Sequence, residues 1–166
     1  MIDYGELVLG AYLGEVAGEA AFAGMAMLID DPARRSKLEV LRLLEAQTEA
    51  RLRPLAEAHG LTAAAVVEAR RRGWGHATMA PDAEARWAQV VNGMTAVCPG
   101  EIEKFRRLRT LAPAAEQSIA AEVLAHEEAL LAFAQREADG RGDTSLEPVV
   151  ALLHDPYRAE ARASAG

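Results

Sequence analysis

Four carboxylates and one histidine interrupt rows of apolar residues that repeat with helical spacing. Glu45, followed by Thr48, interrupts a row of leucines at positions 38, 41, 52 and 55. Glu15 and Glu19 lie one helical turn apart in a row of otherwise mainly apolar residues. A carboxylate within such a row is costly to bury unless a cation or a hydrogen-bond donor accompanies it. These positions are therefore candidates for metal ligands.

Glu122 and His126 interrupt a third row, which also holds Ile119, Ala129 and Phe133. Residues four apart stack on one helix face, so this pair is placed to bind a common ion. Carboxylate oxygens combined with an imidazole nitrogen suit iron, manganese or zinc. The predicted metal ligands are therefore Glu15, Glu19, Glu45, Glu122 and His126. The alternative is that these side chains lie on ordinary solvent-exposed helix faces, because the spacing in each row fits more than one choice of buried face.

The elements that must position these side chains are long helices. Alanine, leucine, glutamate and arginine dominate the 166-residue chain, aromatic residues make up 5%, and helix breakers fall at wide intervals. This pattern predicts an all-α protein with helices over residues 4–29, 33–59, 62–72, 81–98, 101–111, 113–139 and 145–154. Pro99 and Gly100 are expected to break or kink the fourth helix. Residues 73–76 are expected to form an irregular, glycine-flanked segment.

The long helices predict a four-helix bundle with additional short helices. The chain length fits one domain, which we place at residues 1–156. The alanine-rich, charged residues 157–166 are expected to form a frayed tail. Alanine and glycine faces allow close helix approach, so a two-fold homodimer is expected.

Composition argues against several classes of function. Eighteen basic against 25 acidic residues give a net charge of −7, so nucleic acid is not an expected partner. The chain lacks a basic signal-peptide region and a charge-free run of membrane-spanning length, so no membrane partner is expected. The single cysteine, Cys98, is interpreted as a small buried residue in a protein of the reducing cytosol.

The acidic pattern resembles that of the ferritin-like superfamily. Its dinuclear sites take a Glu from one helix, Glu-x-x-His from the next, and the same again from a second helix pair. The likeness covers about residues 4–139 and lies in Gly14-Glu15-x-x-Gly18-Glu19-x-x-Phe22, Leu44-Glu45-x-x-Thr48-Glu49 and Glu122-x-x-x-His126-Glu127. The chain departs from the family pattern at Thr48, which replaces the first histidine, and in the four-residue spacing of Glu122 and His126.

The resemblance implies a ferritin-like four-helix bundle whose metal is held or bridged by Glu19 and Glu45. Glu122 and His126 would complete the ligand shell. A mononuclear site, a dinuclear site and an altered metal all remain open. Iron with an open coordination position would imply activation of oxygen or peroxide against a small organic substrate.

The sequence leaves two residue roles and the function itself open. The third bundle helix offers either Glu84 or Glu101 as its carboxylate, and His76 either lines a pocket mouth or caps a loop. Two functions follow. One is a cytosolic metal-binding protein that acts as an iron- or manganese-dependent oxidoreductase. The other is a metal-free bundle that serves dimerisation or partner binding, its site having decayed.

Overall fold

A computed structural model describes residues 3–77 and 82–164 of the chain. Within these ranges the regular secondary structure consists of helices alone, which confirms the all-α prediction. The α-helices of the described ranges are α1 (Tyr4–Leu28), α2 (Pro32–Ala58), α3 (Ala63–His76), α4 (Ala83–Leu111), α5 (Gln117–Ala138), α6 (Glu147–Leu152) and α7 (Tyr157–Ser164). Short 3₁₀ turns occupy Ala114–Glu116 and Gly142–Thr144.

Local capping explains where the first helices begin. The Asp31 side chain accepts a hydrogen bond from the Arg34 amide, and Pro32 occupies the first turn of α2. Thr62 caps α3 in the same way. Asp82 caps α4, whereas Pro81, the predicted helix start, lies outside the described residues.

Two apolar clusters fill opposite ends of the helix assembly. The first cluster includes Phe22, Leu41, Val90 and Phe133. The second cluster includes Val8, Leu52, Phe105 and Val123. The N-terminal halves of α1 and α5 and the C-terminal halves of α2 and α4 thus meet in the second cluster. Helices α1 and α5 therefore run in one direction and α2 and α4 in the other.

Helix α3 lies in the long connection that joins the parallel helices α2 and α4, and it packs against α1. A Cβ atom at Gly73 would overlap the carbonyl oxygen of Ala17, so only glycine allows this close approach. The irregular segment predicted over residues 73–76 is wrong, because these residues form the last turn of α3. Packing against α1 outweighs the low helix propensity of the two glycines.

Helix α4 continues through Pro99, so the separate helix predicted over residues 101–111 is wrong. The proline removes one backbone donor from the helix, but the apolar face is uninterrupted. Its buried members follow at intervals of three or four residues: Met94, Cys98, Ile102 and Phe105. Packing on both sides of the proline therefore holds the helix together.

The C-terminal segment differs from the predicted frayed tail. Residues 157–164 form α7, which packs on α2. Ser36 Oγ donates a hydrogen bond to the Ser164 carbonyl at 2.6 Å, and Arg42 pairs with Glu160 at 3.2 Å. The last two residues lie outside the described range.

Helix α1 has the length and composition of a membrane span, with a mean hydropathy of 1.2 over its most apolar window. However, 56% of that window is buried inside the protein. A core helix of a globular protein has the same features, and α1 contacts α2, α3 and α4.

The close approach at Gly73 yields a stability prediction. Gly73→Ala should lower the free energy of unfolding by about 1–3 kcal/mol, because the new methyl group meets a backbone carbonyl. Gly75→Ala is the matched control, since a Cβ there meets no atom within 4 Å. Urea unfolding of the two variants measures the difference. Equal stability of the Gly73 variant and the parent would contradict the close packing of α1 and α3.

Candidate metal centre

A buried polar layer separates the two apolar clusters at mid-length. Helix α2 contributes Glu45 and α5 contributes His126, each from the segment between its two apolar halves, and α1 contributes Glu15 from the inner end of its half in the second cluster. The three residues are 2%, 5% and 1% exposed. The structure therefore brings together three of the five predicted ligands.

The His126 ring lies among the acidic side chains of the layer. Its Nδ1 is 2.8 Å from Thr48 Oγ1 and 3.3 Å from Glu15 Oε2, and its Nε2 is 3.4 Å from Glu45 Oε1. Glu15 Oε2 and His126 Nε2 are buried and have no hydrogen-bond partner. A buried polar atom without a partner is destabilising, and a cation held between these atoms would satisfy both.

Glu127 joins the same cluster, although it is not among the ligands predicted from the sequence. One ligand atom each from Glu15, His126 and Glu127 can be chosen so that all lie within 4.8 Å of one another. The sequence pattern also indicates Glu127 as an interior residue, because it interrupts an apolar row at positions 120, 123, 130 and 134. The predicted ligands come instead from the neighbouring row, which contains Glu122 and His126.

Gly18 makes room for the carboxylate of Glu45. A Cβ atom at position 18 would lie 2.6 Å from Glu45 Cδ, well inside van der Waals contact. The absence of a side chain on this face of α1 thus allows the α2 carboxylate to enter the layer. Gly18 is a structural requirement of the site.

Glu19 and Glu122 lie outside the cluster. Glu19 is 3.6 Å from Arg42 and 3.9 Å from Arg70. Glu122 accepts a hydrogen bond from Arg51 at 2.7 Å. Both carboxylates therefore have basic partners, and neither contributes to the cluster around His126.

The two candidates for the carboxylate of α4 occupy different places. Glu101 lies in the segment between the two apolar halves of α4, pairs with Lys104 at 2.6 Å, and helps to raise the pKa of Glu127. Glu84 is near the start of α4, where it is exposed and binds Arg34 at 2.8 Å. Glu101 is thus the α4 carboxylate that lies close to the cluster.

The acids of the layer are unfavourable as free anions. Burial, followed by the charges of Glu45 and Glu127, raises the pKa of Glu15 well above its ordinary value. Burial, with Glu45 and Glu101, raises the pKa of Glu127 to about 7, although His126 opposes the shift. Burial alone would lower the pKa of His126, but the nearby Glu45 carboxylate outweighs it and raises that pKa. The cluster therefore favours bound protons or a cation.

Two cavities reach the layer from different sides. The larger, about 660 Å³, lies between α1 and α4 and has Glu15, Glu45 and Glu127 in its wall. The smaller, about 290 Å³, is lined in part by Thr48 and His126. The cluster is thus buried but adjoins space for a small molecule.

Cys98 and His76 also line the larger cavity. The Cys98 thiol is buried, and burial together with Glu127 raises its pKa, so it is uncharged at neutral pH. His76 is exposed at the end of α3 and lies at the cavity mouth. Between the two interpretations of His76, this position matches the pocket mouth.

Comparisons of the chain with protein-family models, curated proteins and solved structures find no match.

The raised pKa values predict how the stability of the metal-free protein depends on pH. The folded-state pKa values of Glu15, Glu127 and His126 all lie above their ordinary values, so the stability they contribute is lost as pH rises. In a chelator, the free energy of unfolding should fall between about pH 5 and pH 8, with Glu127 alone accounting for about 3 kcal/mol. Urea unfolding across this range measures the effect.

Glu127→Gln should flatten this pH dependence. The matched control is Glu128→Gln, which alters the neighbouring exposed carboxylate. If both variants keep the slope of the parent, Glu127 does not titrate in the buried layer.

Proposed function

We propose that this protein is a ferritin-like metal-binding protein that holds one divalent ion of iron, manganese or zinc in its buried polar layer. The ligands would be Glu15, Glu45, His126 and Glu127. The observation that carries the proposal is the pair of buried, unpartnered atoms, Glu15 Oε2 and His126 Nε2, within a cluster of carboxylates. Such a mixed set of oxygen and nitrogen donors suits these metals.

The directions of the four long helices support the ferritin-like assignment. Helices α1 and α2 are antiparallel, α4 runs parallel to α2, and α5 returns antiparallel to α4. The connection containing α3 must therefore span the length of the assembly. One long crossover between two helix pairs is the arrangement of ferritin-like bundles.

The residues favour one ion rather than two. The family pattern Glu-x-x-His requires a Glu and a His in each of two helices. Helix α2 has Glu45 but Thr48 in place of the histidine, and α5 has His126 but Val123 in place of the glutamate. Each helix thus retains one ligand of the pair. Glu15 and Glu127 bring the set to four donors.

Thr48 would orient the imidazole toward the ion. When Thr48 Oγ1 accepts the proton of Nδ1 at 2.8 Å, Nε2 presents its lone pair toward the side of Glu45. Gly18 leaves room for the Glu45 carboxylate, and the two apolar clusters exclude water from both ends of the layer. Bound iron with an open coordination position would supply oxygen or peroxide activation, which would make the protein an oxidoreductase of a small organic molecule.

Metal binding is the decisive test of this proposal. Protein purified without a histidine tag should bind about one Mn²⁺, Fe²⁺ or Zn²⁺ per chain, measured by elemental analysis after desalting. Glu15→Gln and His126→Ala should each weaken metal affinity at least about tenfold in calorimetric titration, because each removes a ligand.

Glu19→Gln and Glu122→Gln are matched controls and should retain parental affinity, because these carboxylates pair with arginines outside the cluster. Metal binding should also strengthen as pH rises, since the ion displaces protons from Glu15 and Glu127. A parent protein that binds no metal, or ligand variants with undiminished affinity, would refute the metal site.

A second candidate function is dimerisation or partner binding, which two exposed apolar side chains of α3 favour. Val67 and Trp74 lie seven residues apart on this short helix and are 69% and 48% exposed. Large apolar side chains at that spacing share a helix face. An exposed apolar face on a helix that already packs against α1 suits a two-fold contact with a second copy.

The dimer is tested by sedimentation equilibrium. The parent should be dimeric at micromolar concentration, and Val67→Glu should weaken self-association at least about tenfold because it places a charge in the contact. Val97→Glu, at an exposed apolar position on α4, is the control. A monomeric parent at high concentration would contradict the dimer. A dimer without metal would favour this function over the first.

A further inference from the structure

The larger cavity has the size and form of a ligand site. At about 660 Å³ it lies within the range of pockets that enclose small organic molecules. It extends along α1 from Gly10 to Met25 and along α4 from Gln89 to Phe105. The end of α3 borders it, where the exposed side chains of Arg72 and His76 mark its mouth.

The space exists in part because α1 has glycine at two positions on this face. A Cβ atom at Gly10 or Gly14 would meet no atom within 4 Å, so both glycines border open volume. Further along the cavity the wall is apolar and includes Phe22, Val90 and Met94. A ligand that fills this part must therefore have an apolar body.

Charges are separated across the cavity. Glu15, Glu45 and Glu127 lie at its buried floor, and Glu15 Oε2 has no hydrogen-bond partner there. Arg72 lies at the exposed mouth, where its charge also helps to lower the pKa of Glu68. Its neighbour Arg71 instead binds Glu68 with two hydrogen bonds. The mouth thus presents an exposed guanidinium above an acidic floor.

We propose that this cavity binds an elongated apolar monocarboxylate, with its carboxylate on Arg72 at the mouth and its apolar body along the wall that includes Phe22, Val90 and Met94. The guanidinium attracts the carboxylate of the ligand and the floor carboxylates repel it. Both interactions therefore favour the orientation with this carboxylate at the mouth. The role of this molecule as a substrate rests on the proposed metal site, whereas its binding does not. In a metal-loaded protein, the carbon chain would be the part presented to the ion.

Three probes with the same chain separate the contributions of head group and body. Octanoate, octanol and octylamine are titrated calorimetrically into the full-length protein, with chelator and again with Mn²⁺. Octanoate should bind most tightly. Arg72→Gln should weaken octanoate binding about fivefold to tenfold while leaving octanol binding within about twofold, because only the charged contact is removed. Arg71→Gln is the matched control and should behave as the parent.

Filling the cavity should block all three probes. Gly14→Leu directs a side chain from a position whose Cβ meets no atom within 4 Å into the cavity, and it should weaken octanoate binding at least about tenfold by occupying the space of the apolar body. Gly100→Leu is the control, because this exposed α4 glycine also has no neighbour within 4 Å and does not line the cavity. Circular dichroism establishes that both variants are folded.

The outcomes separate this inference from the metal site. Tighter binding of octylamine than of octanoate would overturn the proposed head group and identify an organic cation on the floor carboxylates. Undiminished octanoate binding in Gly14→Leu would overturn the location. Octanoate binding by a protein that binds none of Mn²⁺, Fe²⁺ and Zn²⁺ would support the cavity while refuting the metal site.

Discussion

The structure depends on a layer of acidic side chains buried between two apolar clusters. Glu15, Glu45 and His126 come from three helices and are almost fully buried. Their mutual contacts at 3.3–3.4 Å leave one carboxylate oxygen and one imidazole nitrogen without partners. Two leucines and a phenylalanine in these places would fill the space at lower electrostatic cost. An arrangement this costly is understandable if a cation completes it.

Burial alone does not distinguish a metal ligand from a structural acid. Glu49 lies in the same part of α2 and is only 7% exposed, yet it accepts a hydrogen bond from Tyr12 at 3.0 Å and pairs with Arg53. Its charge is satisfied within the protein. Glu15 differs because its nearest ionisable neighbours are other acids and one imidazole. The candidate ligands are thus identified by unsatisfied charge and not by their place in the core.

The small residues of helix α1 allow the close contact with α3, the entry of the Glu45 carboxylate and the larger cavity. Ala17 contacts α3 at Gly73, Gly18 admits the Glu45 carboxylate, and Gly10 and Gly14 border the larger cavity. Larger side chains at these positions would separate the helices or close the cavity. The glycine content that weakens α1 as an isolated helix therefore creates both the buried site and the access to it. The apolar clusters supply the packing that compensates for the loss of helix propensity.

The sequence by itself determined the all-α class, the caps at Asp31 and Thr62, and the interior positions of Glu15, Glu45 and His126, because helix caps and apolar rows are local properties. Only the tertiary structure decided which of two helix faces, offset from each other by one residue in the sequence, is buried. A helix turns about 100° per residue, so packing of α5 directs Glu127 into the layer and Glu122 toward Arg51. Packing likewise kept α4 helical through Pro99 and α3 helical through Gly73, where local propensity predicted breaks. The rotation of each helix is set by the neighbours that it buries, and those neighbours are distant in sequence.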